Sequence, residues 1–283
     1  MVRTDIAVEK MPSGKAPVGV EKSERGTDYC RVTEVRIETA DASQKLGKPQ
    51  GRYITVETGN LSQHPEKFGE VADIIASEIR SLCHADGDIL VVGLGNTDIT
   101  PDAFGPLVVS RMVATRHLDD ELPYGHELSG LPKISALATG VLGQTGIESS
   151  EVVRAVCDRI KPRAVVVADA LACSDSARLG CTVQLSDTGI SPGSGVKNSR
   201  RELSQKTLGI PVVSIGVPTV VDMHTIVESI TGKEPSPETP NMMVTPRDVD
   251  RLVSRAAKLV GFALDRAFLP DFSFEELEVI TEG

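Results

Sequence analysis

The chain has 283 residues and a formal net charge of −10, which leaves no basic face for phosphate contact and disfavours unaided nucleic-acid binding. It has no apolar run of the roughly 18 residues that a membrane span requires, and no signal-peptide stretch at its N-terminus, so a cytoplasmic protein is expected. Its five cysteines (Cys30, Cys83, Cys157, Cys173, Cys181) contain no C-x-x-C pair, which points away from a disulfide framework or a zinc knuckle and toward packed thiols.

Residues 6–28 include a Lys-, Glu-, Gly-, Ser- and Pro-rich stretch from Lys10 onward and read as a flexible arm. Two alternating stretches, 30–39 and 51–58, carry β-branched residues at period two and predict a hairpin or small sheet. Phe68, Val71, Ile74, Ile75 and Ile79 recur at helical spacing and predict a helix over 65–82. The apolar run 88–96 then suits a strand buried on both faces. A helix is expected from Thr100 to about His117, a strand over 133–139 and a helix over 146–160 with Ser149 or Ser150 as its cap. The clearest strand is 164–170, followed by strands over 181–186 and 210–221, a helix including Met223 to Ile230, a Pro-rich linker over 233–246 and a long amphipathic helix from Arg247 to Phe268. This alternation predicts an α/β fold: a mostly parallel central sheet flanked by helices, a small N-terminal β-hairpin or sheet, and a long C-terminal helix, in one domain spanning 29–283.

The turn Gly93-Leu94-Gly95-Asn96 begins like a dinucleotide fingerprint, but Asp98 stands where the third glycine belongs and would repel a phosphate. Asp102 lies in Thr100-Pro101-Asp102, where Thr100 can cap, Pro101 suits the first helical position and an acid complements the helix dipole. Asp169 follows the apolar run Val165 to Ala168, and a carboxylate leaving a buried strand is costly unless it is paired or used. If the two strands are neighbours, Asp102 and Asp169 converge at one rim of the sheet. Two chemistries are then open. The carboxylates can share a proton, one activating water and the other protonating the leaving group, or they can bridge a divalent metal that supplies hydroxide. The histidines His64, His84, His117, His126 and His224 offer no H-E-x-x-H spacing, which favours the acid pair with no metal or other cofactor. Asp187-Thr188-Gly189 matches the triplet of pepsin-like proteases but reads as a turn.

Several strings taken together resemble the spore germination protease family, peptidase family A25, and the chain is more distantly similar to hydrogenase-maturation endopeptidases. They are the G-L-G-N turn with Asp102, Gly51 to Glu57, Asp169 to Ala172, the D-T-G-I-S-P-G-S-G-V loop from Asp187, Ile215 to Asp222 and Met243 to Asp250. In addition, Asp5-Ile6-Ala7-Val8-Glu9 resembles the site cut in small acid-soluble spore proteins. The resemblance implies an endopeptidase, made as a zymogen, that degrades those proteins during germination with Asp102 and Asp169 as the catalytic pair. It further implies a location in the spore core, a homo-oligomer that is a tetramer in relatives, and a pro-segment of residues 1–5 removed by self-cleavage between Asp5 and Ile6. Lys197, Arg200 and Arg201 are candidates for recognising the acid before the scissile bond. Two departures stand out: the long insertion of relatives before Met243 is missing, and the pro-segment is short. Alternatives are a hydrogenase-maturation-type processing endopeptidase and a non-catalytic α/β spore protein whose aspartates are caps.

Overall fold

The computed structural model describes residues 4–12, 16–63, 67–83, 87–118, 132–191, 202–233, 235–236, 238, 240–273 and 276. Strands β1 (Val20–Gly26), β2 (Arg31–Ile37), β3 (Gly51–Glu57), β4 (Ile89–Gly93), β5 (Ile134–Ala138), β6 (Ala164–Cys173), β7 (Thr182–Ser186), β8 (Val212–Asp222) and β9 (Met243–Val244) join in a single sheet. Its order is β1-β2-β3-β7-β8-β6-β4-β5, with β9 added to β8. The pairs β5/β4, β4/β6 and β6/β8 are parallel. From β8 through β7, β3 and β2 to β1 every pairing is antiparallel.

The helices are α1 (Ala40–Leu46), α2 (Phe68–Cys83), α3 (Phe104–Val109), α4 (Ser149–Ile160), α5 (Met223–Thr231) and α6 (Val249–Phe268), with single helical turns at Leu142–Thr145 and Gln205–Leu208. The parallel strands read as near-continuous apolar runs because both of their faces are covered. Val166 and Ala168 of β6 face the layer of α2 and α6, whereas Val165 and Val167 face α4 through Val153 and Cys157. Val71, Ile75, Ile79 and Leu82 form the buried stripe of α2, and the rings of Phe68 and Phe262 meet at 5.9 Å between α2 and α6. Each such aliphatic side chain contributes about 1.5–3 kcal/mol by leaving water.

The expected N-terminal hairpin forms, with β2 and β3 in register from Arg31↔Glu57 to Ile37↔Gly51. It is not a separate small sheet, because β3 pairs with β7 and carries the antiparallel ladder into the centre of the fold. Arg52 fixes that junction. Its guanidinium donates to Glu34 at 2.8 Å and to the carbonyl of Ser81 at 2.8 Å, and its amide donates to Asp187 Oδ1 at 2.8 Å. The Arg52 hydrogen bond holds the Glu34 carboxyl below the usual range, against the opposing effect of burial. The D-T-G aspartate is therefore used in the turn after β7.

Three expectations change. The stretch expected as a flexible arm contains a 3-10 turn at Ala7–Lys10 and the strand β1, whose ladder to β2 satisfies its backbone although only Val20 is buried. The helix expected from Thr100 to His117 is a 3-10 turn, Thr100–Asp102, followed by the six-residue α3. The cap residue of α4 is Glu148 with no side-chain cap bond, and Ser149 Oγ instead meets Thr139 Oγ1 at 3.2 Å.

The segment after α3 is tied to α6 by Asp265, which is 1% exposed and accepts from the Val113 amide at 2.8 Å. Burial pushes its carboxyl up to about 7, with the Val113 bond opposing. A folded-state pKa above the ordinary 3.8 favours folding while the group is protonated. That contribution is complete below about pH 4 and is lost as the pH rises toward 7. Asp265→Asn should therefore gain stability relative to the parent between pH 4 and pH 8, by at most about 4 kcal/mol. Urea unfolding of both proteins at the two pH values measures this, and a pH-independent difference would contradict it.

Candidate active site

Chain connectivity reverses direction at the carboxyl end of β4: β5 lies on one side of that strand and β6 on the other. Such switch points form the crevice where open α/β sheets place their ligands. The β4/β6 ladder ends at Gly93↔Ala168, and the Leu94 amide then donates to the Ala168 carbonyl at 2.8 Å. The next residue on β6 is Asp169, 7% exposed and paired in register with Gly216 of β8. The strand ladder thus loses its β4 partner where the sequence turns from apolar to acidic.

Asp102 reaches this rim through the 3-10 turn. Its Oδ2 accepts from the Asn96 amide at 2.8 Å, so the carboxylate closes the Gly-Leu-Gly-Asn loop on itself. The cap of the turn is Ile99 rather than Thr100. The carbonyl of Pro101 accepts from the fully buried Thr219 hydroxyl of β8 at 2.8 Å, and the Thr219 carbonyl accepts from Thr245 Oγ1 at 3.0 Å. The turn packs on β6, β8 and α6. Gly95 has φ +123°, and a Cβ there would collide with the Asp102 carbonyl. A Cβ on Gly105 would strike the carbonyls of Leu94 and Ala168. The loop 94–96 thus touches Asp102 through the Asn96 amide and the residue before Asp169 through the Leu94 amide. Asp98, the residue that breaks the dinucleotide fingerprint, accepts from Gln144 Nε2 at 2.9 Å.

Residues 4–10 lie along the same rim. The Asp5 amide donates to the Ala172 carbonyl at 3.0 Å, and the Ala172 amide returns a bond to Asp5 Oδ2 at 2.9 Å. Lys48 Nζ donates to the Asp5 carbonyl at 2.7 Å. Burial lowers the Lys48 ammonium pKa from its ordinary value, and the negative charge of Asp5 opposes that shift. Ile6 is fully buried beside Cys173 and Val221. Glu9 accepts from the Ser174 amide at 2.8 Å, Ser174 Oγ at 2.6 Å and the Asp175 amide at 3.1 Å, faces Arg178 at 3.9 Å, and also accepts from Thr4 Oγ1. Burial pushes the Cys173 thiol up to about 12, so it is no thiolate nucleophile near neutral pH.

A cavity of about 210 Å³ opens beside this segment. Asp5 and Lys48 line it, as do Leu171, Gly216, Tyr53 and Thr188. Sequence reasoning missed Lys48 and Thr219, because neither sits in a motif and each acts across a long chain separation. Lys197, Arg200 and Arg201 lie outside the described residues, as do His64, His84 and His126.

Substituting Gly95 by Ala should displace the Asp102 turn, since the new methyl meets backbone and the residue sits at positive φ. Expected are a drop of about a hundredfold in any turnover that uses Asp102 and retention of the native far-UV spectrum. Full activity would show that the turn tolerates the shift.

Residues 3–232 match the family model described as Germination protease. The chain is 37% identical to the germination protease of Caldanaerobacter subterraneus subsp. tengcongensis, with 98% of this chain and 97% of that one aligned. It is 35% identical to the germination protease of Clostridium tetani, covering 98% of each chain. Among solved structures, a [NiFe] hydrogenase maturation protease from Thermococcus kodakarensis aligns with 66% of this chain and 99% of that one, at 20% identity and a TM-score of 0.37. That likeness is too loose to carry an argument.

Proposed function

We propose, for a chain that belongs to the germination protease family, that it cleaves small acid-soluble spore proteins with Asp102 and Asp169 as a carboxylate pair. Supporting this reading, Asp102 closes the loop that follows β4, and Asp169 follows Ala168, whose carbonyl accepts from Leu94 of that same loop, beside a segment whose sequence resembles the cut site. One carboxylate accepts a proton from water as its oxygen attacks the peptide carbonyl carbon. The other, protonated, donates to the departing amide nitrogen as the C–N bond breaks. A pair of carboxylates close enough to share one proton would supply both the acid and the base.

In this reading the chain is a zymogen that also cuts itself between Asp5 and Ile6. Asp in place of the substrates' Glu makes that site slower and suits delayed activation. A peptide containing Glu-Ile-Ala-Ser-Glu, incubated with the protein with and without chelator, tests the mechanism. Cleavage after the first Glu that survives chelator supports the carboxylate pair, and loss of cleavage in chelator indicates a divalent metal between the aspartates. Asp102→Asn and Asp169→Asn should each reduce turnover by at least about a thousandfold with melting temperature little changed. Intact-mass spectrometry should find a species beginning at Ile6 in the parent and none in Asp169→Asn; a fully active variant would remove that residue from the pair.

A further inference from the structure

Residues 5–9 are held as a peptide ligand is held, by main-chain bonds, one apolar pocket and two acid sites. Asp5 exchanges two bonds with Ala172 of β6, and its carbonyl oxygen takes the Lys48 ammonium. Four residues on, Glu9 meets two amides, a hydroxyl and a guanidinium from Ser174, Asp175 and Arg178. Between the two acids, Ile6 fills a closed pocket against Cys173 and Val221. Five groups, from Ala172, Ser174, Asp175 and Arg178, thus meet the two carboxylates at a fixed spacing, and Lys48 meets the carbonyl of the first acid.

Resting on the peptidase reading, we propose that this trough is the binding site for acidic peptides with the pattern acid, branched apolar, small, any residue, acid. The Ala172 amide and Lys48 take the acid before the scissile bond, the Cys173 and Val221 pocket takes the residue after it, and Ser174, Asp175 and Arg178 take the second acid. The chain's own segment 5–9 occupies the trough before self-cleavage and competes there with substrate. Lys48 serves twice: its charge attracts the first acid, and its N–H points at the carbonyl oxygen that becomes negative when water adds to the carbon. The adjoining cavity runs from Asp5 and Lys48 to Leu171 and Gly216, the register partner of Asp169. Its volume of about 210 Å³ is ample for ordered water.

Two labelled peptides test this, one with Glu-Ile-Ala-Ser-Glu and one with the first Glu replaced by Gln. They are titrated into the full-length Asp169→Asn chain, which prevents turnover, with Lys48 intact or as Lys48→Gln, and binding is read by fluorescence anisotropy. Within each protein the tethered segment competes equally with both peptides, so it cancels from their ratio of dissociation constants. With Lys48 intact the Gln peptide should bind about tenfold more weakly, and in Lys48→Gln the two should agree within about twofold. Lys48→Arg should keep most of the discrimination. Equal ratios with and without Lys48 overturn the proposal and point to the loop cations Lys197, Arg200 and Arg201; failure of either peptide to bind overturns it too. Should Lys48→Gln not fold, the same cycle between the peptide's second Glu and Arg178→Gln decides by the same criterion. Discrimination that depends on Lys48, together with no hydrolysis by the parent, upholds the site and overturns the peptidase reading; hydrolysis without such dependence does the reverse.

Discussion

Two stretches of backbone converge on the carbonyl of Ala168, and this crowding organises the functional end of the molecule. Leu94 donates to that carbonyl, and Gly105 lies against it so closely that no side chain fits. The next residue is Asp169. Without a glycine at 105, α3 would be lifted off β4 and β6, carrying with it the 3-10 turn that bears Asp102. The position of one catalytic candidate is therefore set by steric exclusion, and that of the other by strand register.

The hydrophobic layers act on this site at one remove. Because α2 and α6 cover one face of β6 and α4 covers the other, the strand has little freedom to twist or slide. Close packing makes such interiors transmit strain rather than absorb it. Asp169 is displayed midway along a rigid beam, at the point where β6 outruns its β4 neighbour, while Asp102 is held through Pro101 from β8 by the wholly buried Thr219 hydroxyl. A polar anchor inside an apolar layer must be satisfied, and Thr219 is, through its hydroxyl to Pro101 and its carbonyl to Thr245.

Much of this was legible before any coordinates. Val165 to Ala168 announced a buried strand but not its length: the strand expected over 164–170, with Asp169 at its carboxyl end, runs on to Cys173 because Asp169 to Cys173 keep pairing with β8. The helix expected after Thr100 was legible only in part, since Gly105 and Pro106 interrupt a stretch whose capping signals are otherwise good. Strand β1 was hidden because six of its seven residues are exposed and mostly polar, so no alternation survives in the sequence. Lys48 could not be read at all. Its importance arises from contact with a residue 43 positions away, and a single lysine between glycine and proline carries no periodic or motif signal.

The strand that concealed itself also bounds the sheet. Among the described residues β1 forms the outer margin of the antiparallel wing and carries Glu21, Lys22 and Glu24, with Lys22 and Glu24 paired at 2.7 Å, while Arg25 turns to Glu78 at 2.6 Å. Open margins of sheets invite further strands from other molecules, and dense alternating charge is the usual deterrent. A passing unfolded chain would have to strip water from those charges before its first ladder bond formed. What reads in sequence as a solvated tether thus carries the kind of charge that sheet margins use against aggregation.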